Sequence, residues 1–107
     1  MKKIFCASLV VLSVTFALST WTFAADAGAD AYKAKCASCH GPEGKGDTAI
    51  GKSMKLKDLG SDEVQKQSDA DLTNVITKGK KPMPAYEGKL TPEQTAAVVK
   101  FLRTLKK

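Results

Sequence analysis

The chain has 107 residues, of which 17 are Lys or Arg and 11 are Asp or Glu, so its formal net charge is +6. This length allows one small domain, and the composition is that of a globular protein and excludes a disordered, collagen-like or low-complexity chain. Four of the seven aromatic residues fall within the first 23 positions, which sets the amino-terminal segment apart from the rest.

That segment has the three parts of a secretory signal peptide. It begins with two lysines, carries no charged residue from Ile4 to Ala25, and ends with small residues at Thr22 and Ala24. An uncleaved anchor is the alternative, because 22 uncharged residues could just span a bilayer. The short apolar core favours cleavage, so we expect residues 1–24 to be a signal peptide and residues 25–107 to be a periplasmic domain without stable membrane insertion.

The domain at residues 25–107 is predicted to need a large apolar cofactor. Loss of Lys2 and Lys3 with the leader lowers the net charge from +6 to +4, and loss of Cys6 leaves two cysteines. Domains of this size bury little apolar surface and usually need a disulfide, a metal or another staple. A disulfide between Cys36 and Cys39 would close too small a loop to constrain the fold. Few aromatic residues remain to fill a core.

The first predicted helix runs from about Asp26 or Asp30 to the cysteines. Gly28 and Tyr32 are spaced i, i+4 within it. A glycine inside a helix costs about 1 kcal/mol relative to alanine. Close approach of another helix and fraying near a new amino terminus both account for Gly28 equally well.

The segment Cys36-Ala37-Ser38-Cys39-His40 has the CxxCH spacing of c-type haem attachment. Residues at i, i+3 and i+4 share one face of a helix, so two thiols and an imidazole can point at one object. Both sulfurs can then add to the vinyl groups of one porphyrin, and His40 can bind its iron. A redox dithiol is disfavoured because strand signals are poor, and a zinc site lacks a fourth ligand of the usual type.

Residues 41–79 are predicted to form a loop, a short helical turn and the middle helix. The stretch Gly41–Gly60, with five glycines, predicts a loop, and a short helical turn is expected from Ser61. The middle helix begins at Ser68, and its capping partner is Asp71. Leu72, Val75 and Ile76 are predicted to form its buried edge, and Gly79 is predicted to end it.

Met83 is the preferred second ligand of the iron. It lies between Pro82 and Pro84, which remove two backbone donors and are expected to hold the segment extended. A thioether opposite the histidine raises the reduction potential. Met54, which lies among lysines in the glycine-rich loop, is the weaker candidate, and either methionine could simply fill a gap in the core.

The last predicted helix has the clearest start signal. Thr91 is a suitable N-cap, Pro92 takes the first helical position, and Gln94 completes a capping box. An apolar stripe follows at positions i, i+3, i+4 and i+7, namely Val98, Phe101, Leu102 and Leu105.

Over nearly all of residues 25–107 the sequence resembles the small monohaem class I cytochromes c of the bacterial periplasmic type. The resemblance rests on Cys36–His40, the glycine-rich segment Gly41–Gly46, the Met83–Tyr86 loop and the Val98–Leu102 helix. It implies an all-α fold with three main helices and long loops around one covalent haem c. Thioether bonds at Cys36 and Cys39 and iron ligation by His40 and Met83 are implied as well. The family also packs Gly28 and Tyr32 positions against the Phe101 position. Relatives often have Lys directly before the axial methionine, where this chain has Pro82.

The expected function is that of a monomeric single-electron carrier, not an enzyme, which does not bind nucleic acid. In this family the Met83 loop lies near the exposed haem edge, and it is bracketed here by four lysines, Lys78, Lys80, Lys81 and Lys89. A basic surface there would attract redox partner proteins with acidic docking surfaces. Two alternatives remain, an open-site haem enzyme or gas sensor and a subunit of a larger dehydrogenase or oxidase complex.

Overall fold

A computed structural model describes residues 23–107, and the predicted apolar part of the leader lies outside the described residues. Six helices follow one another: α1 Phe23–Lys35, α2 Ala37–His40, α3 Ala49–Met54, α4 Asp62–Gln65, α5 Asp69–Lys78 and α6 Pro92–Thr104. Between residues 23 and 107 the only β-type pairings are two isolated bridges. The predicted all-α class is confirmed, with α1, α5 and α6 as its three main helices.

Helices α1 and α6 cross at Gly28. A Cβ atom built on Gly28 would lie 2.8 Å from the carbonyl carbon of Ala97 and would overlap its oxygen. One turn further along α1, the ring of Tyr32 packs against that of Phe101 with centroids 4.8 Å apart. The close approach of another helix therefore explains the glycine, and the predicted packing of these three residues is confirmed.

We expect Gly28→Ala to lower the free energy of unfolding by about 1–3 kcal/mol, because the new methyl group meets the backbone of α6 and cannot be relieved by a side-chain rotation. Denaturant titration measures this change. The sign is diagnostic, since without the clash alanine would stabilise the helix by up to about 1 kcal/mol. A stabilised variant would contradict the crossing geometry.

Helix α6 begins as the sequence predicts. The Thr91 hydroxyl accepts from the Gln94 amide at 3.1 Å, and the Gln94 side chain accepts from the Thr91 amide at 2.9 Å, so both halves of the capping box are present. Val98 and Leu102 are buried, whereas Phe101 and Leu105 are half-buried. The apolar stripe is therefore most deeply buried at its first and third positions, and α6 forms one wall of the interior.

Helix α5 also begins and ends where predicted. The Ser68 hydroxyl accepts from the Asp71 amide at 3.0 Å, and Gly79 follows the helix with a φ of 78°. A Cβ atom at Gly79 would lie 2.9 Å from the carbonyl oxygen of Met83, so this position requires glycine for both its φ and its space. Leu72 and Ile76 are buried on the inner face of the helix.

The prediction of a continuous loop over Gly41–Gly60 was wrong, because α3 lies within it. Thr48 caps α3 by accepting from the Gly51 amide at 2.9 Å, and its hydroxyl donates to the Cys39 carbonyl at 2.7 Å. A Cβ atom at Gly51 would lie 2.8 Å from that same carbonyl oxygen. Contacts with the backbone of the CxxCH segment, and not an apolar stripe, therefore hold this short helix in place.

Arg103 ties the segment that contains α4 to α6. Its guanidinium donates to the carbonyl of Gln65 at 2.8 Å and to that of Gln67 at 2.6 Å. The Gln65 side chain in turn donates to the Leu59 and Leu102 carbonyls, both at 2.8 Å. These bonds fix the 59–67 segment, whose inner side chains line the cavity described next.

Candidate cofactor-binding site

A cavity of about 310 Å³ lies between the helices. Its volume is within the range of about 300–1,000 Å³ that is typical of small-molecule and cofactor sites. Most of the aliphatic side chains of its walls come from α4, α5 and α6, namely Val64, Leu72, Val75, Ile76, Val98 and Leu102, and two more come from the segment before α4, Leu56 and Leu59. The core is thus built around an apolar space and does not fill it.

Three of the four predicted site residues line this cavity: Cys36 and His40 from the CxxCH segment, and Met83 from the loop after α5. Cys39 is half-buried in α2 and does not belong to the cavity lining. Met54 also lines the cavity but is 47% exposed, whereas Met83 is half-buried and packs against the core. The fold therefore brings the CxxCH segment and the Met83 loop to one cavity, and both candidate methionines line that cavity.

The CxxCH segment is helical, as its spacing predicts. The Cys36 amide donates to the Tyr32 carbonyl at 2.8 Å, and the His40 amide donates to the Cys36 carbonyl at 3.0 Å. The segment thus forms a separate helical turn directly after α1. This geometry keeps residues 36, 39 and 40 on a single side of the backbone.

His40 has the features of a ligand to a metal. Among residues 23–107 its Nδ1 atom is one of two buried side-chain nitrogen or oxygen atoms without a hydrogen-bond partner. Burial lowers the pKa of His40, so the imidazole is neutral at pH 7 and retains a lone pair for coordination. A neutral imidazole that lines an apolar cavity can bind a metal ion through one ring nitrogen and keep an N–H group on the other.

The cysteines do not fit a redox dithiol or a zinc site. Burial, with the charge of Cys39 as a smaller cause, raises the pKa of the Cys36 thiol to about 11. Reactive cysteines of CxxC redox sites have a lowered pKa instead. Within the part of the chain that the structure describes, no three His, Cys, Asp or Glu side chains group together as metal ligands.

The loop that carries Met83 is a tight turn, so the predicted extended conformation was wrong. The Met83 amide donates to the Lys80 carbonyl at 2.8 Å, and the Lys80 amide donates back to the Met83 carbonyl at 3.2 Å. The chain reverses at Lys81 and Pro82 between them. This reversal, together with the close packing at Gly79, fixes the direction from which Met83 reaches the cavity.

Four lysines line the mouth of the cavity, namely Lys55, Lys57, Lys80 and Lys81. All four are exposed, and Lys57 is paired with Glu63 at 2.6 Å. Of the lysines singled out in the sequence, Lys78 pairs with Glu87 at 3.0 Å and Lys89 lies over the Tyr86 ring, 5.6 Å from its centroid. Lys55 and Lys57 were not predicted, because only the fold brings them to the same cavity as the Met83 loop.

Comparisons with known proteins agree with this site. Residues 23–102 match a family model described as cytochrome c oxidase, cbb3-type, subunit III. The chain is 40% identical over 107 residues to cytochrome c6 of Nostoc sp. (strain PCC 7120), covering 95% of this chain and 92% of that protein. The chain belongs to the class I cytochromes c. It is also similar to cytochrome c6 of Picosynechococcus sp. (strain PCC 7002), with 33% identity over 95% of this chain and 92% of the relative.

Two further matches place this cytochrome among larger and smaller relatives. A cbb3-type cytochrome c oxidase subunit FixP of Azorhizobium caulinodans is 36% identical over 78% of this chain, but the match spans 28% of FixP. Among solved structures, the KustC0563 c-type cytochrome aligns with a TM-score of 0.69 and 33% identity, covering 75% of this chain and 98% of that one. The shared unit is therefore a single cytochrome domain.

The residues of this cytochrome fit the cofactor of its family. The cavity walls are apolar, a buried imidazole lacks a partner for its Nδ1 atom, and thiol and thioether groups lie at or beside the cavity. A small class I cytochrome c carries a covalently bound haem c with its iron and acts as an electron carrier. Within residues 23–107, none of the helices has the length and apolar character that a membrane crossing requires.

Proposed function

We propose that this cytochrome is a single-electron carrier whose haem iron is bound by His40 and Met83, and whose haem is attached through Cys36 and Cys39. The observation that carries the proposal is the meeting of Cys36, His40 and Met83 on one apolar cavity. The haem, when bound, supplies an iron that changes by one electron between its ferric and ferrous states. Exchange with redox partners then needs no bond to a substrate.

Each of the four residues has a distinct task in this proposal. The neutral imidazole of His40 provides one strong nitrogen ligand, and the soft sulfur of Met83 favours the ferrous state and raises the potential. Two protein ligands leave no position at the iron for a substrate, which disfavours an enzyme. Cys36 and Cys39 would fix the haem relative to α1, because they follow that helix directly.

We propose a diffusible carrier in preference to a fixed subunit of a larger complex. The relatives matched over 92% of their own length are both cytochromes c6. We propose further that residues 1–24 are removed on export and that residues 25–107 work in the periplasm as a monomer. Partners with acidic docking surfaces are proposed because four exposed lysines surround the mouth of the cavity.

The visible spectrum of the oxidised protein tests the ligation. We expect a weak red band from sulfur-to-ferric-iron charge transfer, which disappears in Met83→Ala and persists in Met54→Ala. Met54 is the matched control because it lines the same cavity but is 47% exposed on α3. Added cyanide should bind slowly to the wild type and to Met54→Ala, and rapidly to Met83→Ala.

Two results would contradict this proposal. Loss of the band in Met54→Ala alone would assign the second ligand to Met54. A wild-type protein that lacks the band and binds cyanide or carbon monoxide rapidly has an open site, and an enzyme or a gas sensor would then be the better assignment.

A further inference from the structure

Both tyrosines of residues 23–107 bind backbone carbonyls at the two ends of the CxxCH segment. The Tyr86 hydroxyl donates to the carbonyl of Lys35, the residue before Cys36, at 2.9 Å. The Tyr32 hydroxyl donates to the carbonyl of Gly41, the residue after the segment, at 2.6 Å. These bonds hold the segment from two different elements.

The backbone of Tyr86 is hydrogen-bonded to α5 and to the segment before α6. Its amide donates to the Ile76 carbonyl near the end of α5 at 3.0 Å, and its carbonyl accepts from the Leu90 amide at 3.0 Å. The ammonium of Lys89 lies 5.6 Å from the centre of its ring. Tyr86 therefore links the loop after α5 to the end of α1, and the two bonded residues are 51 positions apart in sequence.

Tyr32 makes a chemically similar bond with a different consequence. It lies on α1, is 2% exposed and packs against Phe101. Its hydroxyl bonds to a carbonyl nine residues further along the same stretch of chain, that of Gly41. Tyr32 also lines the cavity, but no part of the Met83 loop takes part in its bond, so Tyr32→Phe tests the loss of a tyrosine hydroxyl that does not hold this loop.

We propose that Tyr86 is a positioning residue that fixes the Met83 loop against the CxxCH segment and so holds the methionine sulfur at the iron. Met83 lies three residues before Tyr86, and Cys36 lies one residue after Lys35. The bond from the Tyr86 side chain to the Lys35 backbone therefore links the two segments that bring Met83 and Cys36 to the cavity. This inference rests on the proposed ligation by His40 and Met83.

Loss of the hydroxyl should increase the fraction of molecules in which Met83 has left the iron. A neutral hydrogen bond of ordinary strength biases such an equilibrium about fivefold. Cyanide reaches the iron only when the methionine has moved away, so its binding rate reports this fraction. Phenylalanine retains the ring and its contacts and removes only the hydroxyl.

The experiment measures cyanide binding to the oxidised haem-bound protein for the wild type, Tyr86→Phe, Tyr32→Phe and Met83→Ala, with the free energy of unfolding of each. We expect Tyr86→Phe to bind cyanide about fivefold faster than the wild type. Tyr32→Phe should lower the free energy of unfolding and leave the cyanide rate within about twofold of the wild type. Met83→Ala gives the rate of a fully open site.

The outcomes separate the inference from the function on which it rests. A Tyr86→Phe rate equal to the wild-type rate, or equal acceleration in both tyrosine variants, would overturn the positioning role. A wild-type rate as fast as that of Met83→Ala would overturn the proposed ligation instead. Acceleration in Tyr86→Phe alone supports the inference, because a merely structural loss of stability would affect both variants.

Discussion

Replacing Lys80 and Lys81 together with glutamate should slow oxidation of the reduced cytochrome by ferricyanide at least about tenfold at low ionic strength. Both lysines are exposed at the mouth of the cavity, and within residues 23–107 neither makes an ion pair. Their charges are thus free to attract an anion toward the haem. Stopped-flow kinetics with ferricyanide measure the change, and a cationic cobalt complex should react faster with the variant than with the wild type.

A matched variant distinguishes local from overall charge. Lys100→Glu with Lys106→Glu changes the net charge by the same amount, and both residues are exposed on or beside α6 and do not line the cavity. We expect its effect on the ferricyanide rate to be several times smaller. Equal effects in the two double variants would mean that net charge alone attracts the anion, and the proposed docking surface would be wrong.

The dependence on ionic strength gives a second readout of the same surface. The Debye length shortens from about 30 Å at 0.01 M to about 10 Å at 0.1 M salt, so attraction of an anionic partner weakens over this range. The wild-type rate with ferricyanide should therefore fall as salt is added, and that of the Lys80/Lys81 variant should rise or stay constant. Parallel curves for the two proteins would contradict docking at this site.

The features that the sequence predicted well depend on short spacings. The caps at Ser68 and Thr91 each use residues three positions apart, and the CxxCH segment closes within a single helical turn. Such local patterns determine their own geometry. Gly28 is different, because its own sequence context left two explanations equal, and only the position of Ala97 on α6 decides between them.

The features that the sequence did not predict depend on contacts between distant segments. Helix α3 has little apolar periodicity, and it is held by Thr48 and Gly51 against the backbone of Cys39. The bond from Tyr86 to Lys35 spans 51 residues, and no pattern around either residue indicates it. Lys55 and Lys57, which follow α3, line the cavity for the same reason, because the fold brings this segment and the Met83 loop to one cavity.

The largest expected effect is on folding, because the walls of the cavity come from distant segments and meet around the haem. We expect Cys36→Ser with Cys39→Ser to abolish haem attachment and the cooperative unfolding of the chain. The cavity of about 310 Å³ would then lack its apolar occupant. A typical domain has a total stability of only about 5–15 kcal/mol, so loss of the main packing partner of these apolar walls should remove most of it.

Circular dichroism during urea titration measures the loss, with Ser38→Ala as the control. Ser38 lies in the same segment and is exposed, so its variant should retain attached haem, helical signal and a single transition. In the double cysteine variant the helical signal should fall at 25 °C and the transition should lose its sigmoidal form. If that variant keeps the helix content and cooperativity of the wild type, the walls formed by α4, α5 and α6 pack stably on their own. The fold would then form without the haem. We expect the opposite, because the apolar cavity of this small domain needs the haem to complete the core.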